Sequence, residues 1–335
     1  MPSRSADELF RLAAFEAGWG KAPAPETPTI GAFLDGYRAD RAGNTEKVLH
    51  SPTALDACCK ALKRHLGDLG PELLTKQRCR LYARERRAEG YEVGPPSARR
   101  RKPVSDGTII RELCTLRAAF KWGVSEKWLV KPPYVEVPAA PPSRDRWLTR
   151  AEAASLAAGC GDFHVKLYVL LGLHTAARRA AILTLTWDRV DLEAGRIDYG
   201  TGRGNKGRVR SVPIAAELMA HLIPARDLAQ SDFVVEFAGG QVKSVKTGFR
   251  AACRRAALAG VTPNTLRHTA ATWMAQDGVP MWEIAGYLGH KDVRMVERVY
   301  GHHSPEHLRA ASGAIGRVSS PLGEVTIRVK KQKTQ

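Results

Sequence analysis

The sequence predicts a mainly α protein with a small antiparallel sheet, divided into an N-terminal helical bundle and a larger α/β domain. Three observations predict it. Between residues 30 and 122 apolar side chains recur every three or four positions in four separate runs, the spacing that gives an α-helix one buried face. Prolines then crowd residues 132–146, and consecutive prolines cannot join a helix on either side. Beyond them helical spacing resumes, interrupted by two short β-like runs around a glycine-rich turn.

Residues 1–28 hold a short helix-like piece at 6–17 and end in the proline-rich KAPAPETP, so they read as a tail. Helices are expected at 30–42, 51–66, 75–89 and 105–122, the last with Ile109, Leu113, Leu116 and Phe120 on one face. Four such helices make a bundle over residues 29–132. Between the third and fourth lies PPSARRRKPVS, where Arg99, Arg100, Arg101 and Lys102 form a charge run. Such a loop is either simply solvated or tracks the phosphates of a polyanion without reading bases. Residues 133–146 form a stiff linker, and a domain boundary falls there.

The second domain, 147–315, opens with Thr149 and Glu152 in the spacing of a capping box. A buried helix at 164–173 delivers the chain to Thr175 and Arg178. Two β-like runs follow at 196–199 and 209–214, and the turn GTGRGNKGR between them carries Arg203 and Lys206. Helices are expected at 215–223, stopping before Pro224, and at 244–258. The helix at 265–276 has Leu266, Ala270, Trp273 and Met274 on one face, which leaves Asn264, Arg267 and His268 on the other and predicts an exposed Arg267 at a helix N-terminus suited to a phosphate. Next comes a short helix with Trp282, Ile284, Ala285 and Leu288, capped by Gly289, which holds His290 at its end. Tyr300 rides another short helix among Met295, Val296 and Val299, a candidate nucleophile. Residues 316–335 offer an alternating run, Glu324 to Val329, and a basic tail with Lys330, Lys331 and Lys333.

The formal charge is +18, so a polyanion gains by releasing counterions when it binds. Nucleic acid is favoured over an anionic membrane. There is no apolar run of membrane-spanning length, and MPSRSADELF lacks the apolar core of a signal peptide, so the expected location is the cytosol. The six cysteines (Cys58, Cys59, Cys79, Cys114, Cys160, Cys253) show no CxxC spacing and no pairing with histidines, so they are expected to be reduced core residues with no metal among them.

Two stretches together resemble a known family. HTAARRAAILTLTWDRVDLEAGRIDY, with Arg178, resembles the first signature box of the tyrosine recombinase (phage integrase) family, and NTLRHTAAT, LGH and VYGHHSPEHL, with Arg267, His290 and Tyr300, resemble the second. The resemblance implies a helical core-binding domain followed by an α/β catalytic domain, and site-specific cutting and rejoining of double-stranded DNA in the integration or excision of a mobile element. It also implies a homotetramer on paired DNA sites, and it leaves room for an accessory directionality factor.

The chemistry the family implies suits these residue types. Ionising a free tyrosine at pH 7 costs roughly 4 kcal/mol, so attack on a phosphodiester needs help. Arg178 and Arg267 would clamp the non-bridging oxygens, and Lys206 would protonate the leaving 5′ oxygen. His290 would hydrogen-bond the scissile phosphate, and Tyr300 would form a 3′-phosphotyrosyl bond. No cofactor or metal is called for, because cationic side chains supply the charge.

Three positions depart from the family pattern. Asn264 stands where a histidine is usual, as a phosphate contact or simply as the cap of the following helix. Ala181 replaces a common carboxylate, and His290 to Tyr300 is one residue longer than the commonest spacing. Two other readings therefore stay open: a recombinase-like DNA-binding protein whose catalysis has decayed, and a topoisomerase-like relaxing enzyme. His268 reads as a buried structural histidine, as a catalyst or as a DNA contact.

Overall fold

The computed structural model describes residues 28–43, 51–93, 97, 99–141, 145–200, 211–290, 292–305, 309 and 312. Its chain forms two compact units that divide between Ser143 and Arg144.

The first unit is built on four helices, α1 (Ile30–Gly43), α2 (Pro52–Leu66), α3 (Lys76–Glu89) and α4 (Asp106–Ser125). Each starts where the sequence supplies a cap or a preset turn. Pro52 occupies the first turn of α2, and the hydroxyls of Thr75 and Ser105 accept the amides of Arg78 and Thr108. Ile30, Phe33, Leu34, Leu62, Leu66, Ile109, Leu113, Leu116 and Phe120 fill the core between them. Glycine lets α1 and α4 approach closely, since a Cβ at Gly123 would stand 2.4 Å from the Phe33 ring. Glu112 is buried, but it accepts the Tyr82 hydroxyl at 2.7 Å and two nitrogens of Arg86 at 3.1 and 2.6 Å, which is how a carboxylate survives in a core.

The basic run expected as a loop is half strand. Arg100–Lys102 (β2) pairs antiparallel with Tyr91–Val93 (β1), with Glu92 opposite Arg101. Glu92 accepts Arg99 at 3.0 Å, and Arg101 turns its Nε to the carbonyl of Glu89 at 3.1 Å, satisfying an orphan acceptor at the end of α3. The linker also begins later than expected. Val135 is buried in the bundle core, its carbonyl takes Arg117 at 2.8 Å, and Glu136 pairs with Arg80 at 2.9 Å.

The second unit contains α5 (Arg150–Ala158), α6 (Phe163–Thr175), α7 (Arg179–Leu183), β3 (Val190–Asp191), β4 (Arg196–Asp198), β5 (Ser211–Pro213), α8 (Ala216–Asp227), β6 (Glu236–Phe237), β7 (Gly240–Gln241), α9 (Lys246–Arg255), α10 (Pro263–Gln276), α11 (Met281–Leu288) and α12 (Val293–Tyr300). The capping box at Thr149 and Glu152 forms. The apolar α6 is the spine, and α10 lies against it at Gly172, where a Cβ would meet Leu266 at 2.7 Å. The sheet runs β3-β4-β5, all antiparallel, with Ile197 and Val212 paired and buried. The hairpin β6-β7 is separate.

Pro224 lies inside α8 rather than ending it. A proline removes one helical hydrogen bond, and here burial of Leu222 and Ala225 on either side holds the next turn. Among the cysteines, Cys58, Cys59, Cys79 and Cys253 are buried as expected, whereas Cys160 is half-buried and Cys114 is exposed. No described helix is long and apolar enough to cross a membrane. The helix-like piece at 6–17, the turn at 201–210 with Arg203 and Lys206, and the terminal run from Glu324 lie outside the described residues.

Candidate active site

The site is assembled around α10. Thr262, not Asn264, stands at its N-cap, and Asn264 is an exposed residue of the first turn. One face of α10 carries Leu266 into the core beneath α6, while Ala270, Ala271 and Ala275 face a second cluster made with Ile284, Leu288, Val296 and Tyr300. A helix covered from two sides has little surface left, and Arg267 is buried at 8% exposure rather than exposed.

A buried guanidinium stays charged, so its donors must be met. Arg267 directs Nη1 to the carbonyl of Ala176 at 2.7 Å and Nη2 to that of Leu288 at 2.7 Å. These carbonyls lie at the C-terminal ends of α6 and α11, where helix dipoles concentrate negative charge. The same Nη2 stands 2.9 Å from His290 Nε2. Since a guanidinium only donates, His290 accepts there and its imidazole is neutral. Gly289 at φ 68 makes the left-handed turn that puts His290 in place.

Arg178 is the exposed N-cap residue of α7. It follows a left-handed turn at Ala176, φ 49, so the carbonyl gripped by Arg267 belongs to the turn that sends Arg178 outward. Thr175 and Tyr287 lock that turn, Thr175 by sharing a hydrogen bond with the Tyr199 hydroxyl at 2.9 Å, and Tyr287 by donating to the carbonyl of His174 at 2.6 Å.

Tyr300 ends α12 at 7% exposure, its hydroxyl 2.7 Å from His268 Nδ1. The far ring nitrogen, Nε2, lies 3.2 Å from the amide of Asn264. Burial pushes the Tyr300 phenol up to about 12; the Arg267 charge pulls it down and Asp145 pushes it up. Burial holds the His268 imidazole below its ordinary value, helped by Arg267 and opposed by Asp145. Asp145 also faces His302 at 3.6 Å and His303 at 3.7 Å, and these three offer one ligand atom each within 4.8 Å, the one such group among the described residues.

Thus Asn264, Arg267, His268, His290 and Tyr300 come together, and Arg178 is tied to them through Ala176. Lys206 and Arg203 fall in the connection from β4 to β5, outside the described residues. Arg99, Arg100, Arg101 and Lys102 belong to the other unit. The contact that sequence reading missed is His268 on Tyr300, 32 positions apart. Asn264 and His268, one helical turn apart, were its only trace. Ala181 packs half-buried on the apolar core, where a carboxylate would have to be satisfied.

Residues 146–307 match the profile of the phage integrase family. The tyrosine recombinase XerA of Thermococcus kodakarensis is 30% identical over 234 residues, covering 67% of this chain and 81% of that protein. The integrase of Salmonella phage P22 is 27% identical over 223 residues, 62% of this chain and 57% of that protein, so the match spans little more than half of that relative. Two solved structures share the fold. The Tn1549 transposon integrase in complex with a circular intermediate DNA superposes with a TM-score of 0.70 at 18% identity, covering 86% of this chain and all (100%) of that one. The lambda integrase tetramer bound to a Holliday junction gives 0.66 at 16%, covering 90% and 89%. The chain belongs to the tyrosine recombinase family.

Proposed function

We propose that this protein is a site-specific DNA recombinase that cuts and rejoins duplex DNA through a covalent 3′-phosphotyrosine at Tyr300, in the integration or excision of a mobile element. The observation that carries this reading is the Tyr300 phenol hydrogen-bonded to His268 and within the field of Arg267, which itself contacts His290, in a cluster that reaches the surface through half-buried His268 and exposed Asn264.

In this reading Arg178 and Arg267 hold the non-bridging oxygens and offset the charge that develops on phosphorus. His290 donates to the phosphate from Nδ1, its other nitrogen being turned to Arg267. Lys206 protonates the leaving 5′ oxygen. The chain needs no cofactor for this. Arg100 and Lys102 contact the phosphate backbone, and the net charge of +18 supports binding to duplex DNA. Assembly as a homotetramer on paired sites follows the lambda integrase on its Holliday junction.

The second reading, a DNA-binding protein with decayed catalysis, draws on Asn264 in place of the usual histidine. A singly nicked suicide duplex separates the two. A recombinase traps a covalent adduct that Tyr300→Phe abolishes while leaving DNA binding intact; a decayed protein binds and traps nothing.

A further inference from the structure

The run of hydrogen bonds from Asn264 through His268 to Tyr300 is left over once the roles above are assigned. We propose that His268 is the catalytic base that takes the phenol proton of Tyr300, and that Asn264 is the positioning residue that sets its tautomer; this rests on reading Tyr300 as the nucleophile.

The geometry meets the first requirement of a base. His268 Nδ1 lies 2.7 Å from the phenol oxygen, within hydrogen-bond reach of the proton to be removed. Both partners are held, His268 on a helix wedged between two apolar clusters and Tyr300 inside one of them.

Electrostatics agree. Burial leaves the His268 ring below its ordinary value, and among the described residues the charged groups acting on it are Arg267 from α10, which lowers it further, and Asp145 from the segment before α5, which opposes, so at neutral pH it holds a lone pair. Tyr300 is pushed up to about 12, so the pre-ionised fraction at neutral pH is on the order of 10⁻⁵, and the proton has to leave during attack.

A neutral imidazole has one lone pair, and whatever faces Nε2 decides where it lies. With the carboxamide oxygen of Asn264 toward it, Nε2 keeps its proton and Nδ1 accepts from the phenol. With the amide nitrogen toward it, as in the 3.2 Å contact, Nδ1 carries the proton and donates to the phenol oxygen. A half-turn of the carboxamide exchanges the two. In the reacting arrangement the phenol O–H bond breaks and an N–H bond forms at Nδ1. The freed pair on oxygen makes the O–P bond, the P–O5′ bond breaks, and O5′ takes a proton from the acid assigned above to Lys206. On rejoining, the imidazolium returns its proton to the departing tyrosine. His268 thereby supplies the base that Asn264 itself cannot.

The test uses the full chain and a pool of randomised, singly nicked duplexes, enriched for those that trap the wild type through Tyr300. On them His268→Ala and the near-isosteric His268→Gln slow adduct formation about a hundredfold or more, and added imidazole restores part of the rate to His268→Ala. The wild-type rate rises with pH and levels off as the imidazole deprotonates; in the variants that plateau is lost and the rate climbs toward the tyrosine range. A 5′-bridging phosphorothiolate, whose leaving group needs no proton, leaves the His268→Gln defect in place. Asn264→Leu lowers the rate, and Asn264→Asp, whose carboxylate fixes the proton on Nε2, recovers more of it than leucine does and moves the plateau to higher pH. Adduct formation in His268→Gln within twofold of wild type with the same pH profile overturns the proposal, as does faster cleavage, which would make the contact a restraint. Rescue by the phosphorothiolate also overturns it, because the defect would then lie in the leaving-group step. If no duplex traps the wild type through Tyr300, it is the recombinase reading itself that falls.

Discussion

Arg267 joins the ends of two helices: one guanidinium nitrogen holds the carbonyl of Ala176 and the other that of Leu288, each at 2.7 Å. The same side chain that would meet a phosphate therefore also keeps the turn behind Arg178 and the cap before His290 in register. Replacing it by alanine leaves two buried acceptors unmet, and the second unit should lose about 2–4 kcal/mol against chemical denaturation along with all cleavage. Arg267→Lys keeps the charge but not the fork, so it should recover part of the stability and little activity. An Arg267→Ala protein as stable as wild type would contradict this.

The approach of α10 to α6 depends on Gly172. A side chain there meets Leu266 at 2.7 Å, so Gly172→Val should destabilise the protein by about 1–3 kcal/mol and, by displacing α10, slow cleavage more than it weakens DNA binding. Melting temperature, binding and single-turnover cleavage measured together check it.

Three histidines of the second unit, His164, His174 and His268, are held below their ordinary value of 6.5, each chiefly by burial. A lowered folded value means that the unfolded chain binds the proton more readily, so their contribution to stability is fully present above about 6.5 and is lost as pH falls through the folded values. Melting of the protein between neutral and mildly acid pH should show stability dropping on the acid side. His174→Asn, which removes one of the three, should flatten that drop.

The basic hairpin divides by partner. Arg99 and Arg101 are engaged at home, by Glu92 and by the carbonyl of Glu89, while the side chains of Arg100 and Lys102 have no ion-pair partner among the described residues. Neutralising Arg100 or Lys102 should therefore reduce the slope of log affinity against log salt by about 1 each on duplex DNA. Neutralising Arg99 or Arg101 should change it less. Equal effects from all four would refute the division.

What was legible in the sequence was periodic or punctuated. The four bundle helices, the Thr149 box, the Gly289 cap and the placing of Tyr300 on a short helix all follow from spacing and from a single capping residue. The misses have a common cause, since packing from a second side leaves no periodic trace. Arg267 was assigned to a polar face because threonine and alanine weigh little in an apolar pattern, yet Thr265, Thr269, Ala271 and Thr272 are all buried on α10. Strands of two residues, such as β3, β6 and β7, are too short to alternate. Asn264 had the chemistry of a cap, but Thr262 two positions earlier took that place and freed the amide to meet His268. The contact from His268 to Tyr300, by contrast, depends on the meeting of α10 and α12, which no local pattern encodes.

The central claim is that the nucleophile is the phenol at position 300. Digesting a trapped protein–DNA complex with protease and nuclease and sequencing the nucleotide-bearing peptide by mass spectrometry tests it most directly. The account predicts a 3′-phosphonucleotide on Tyr300 within VERVYGHH. A nucleotide on any other side chain, or a complex that survives Tyr300→Phe, would contradict it.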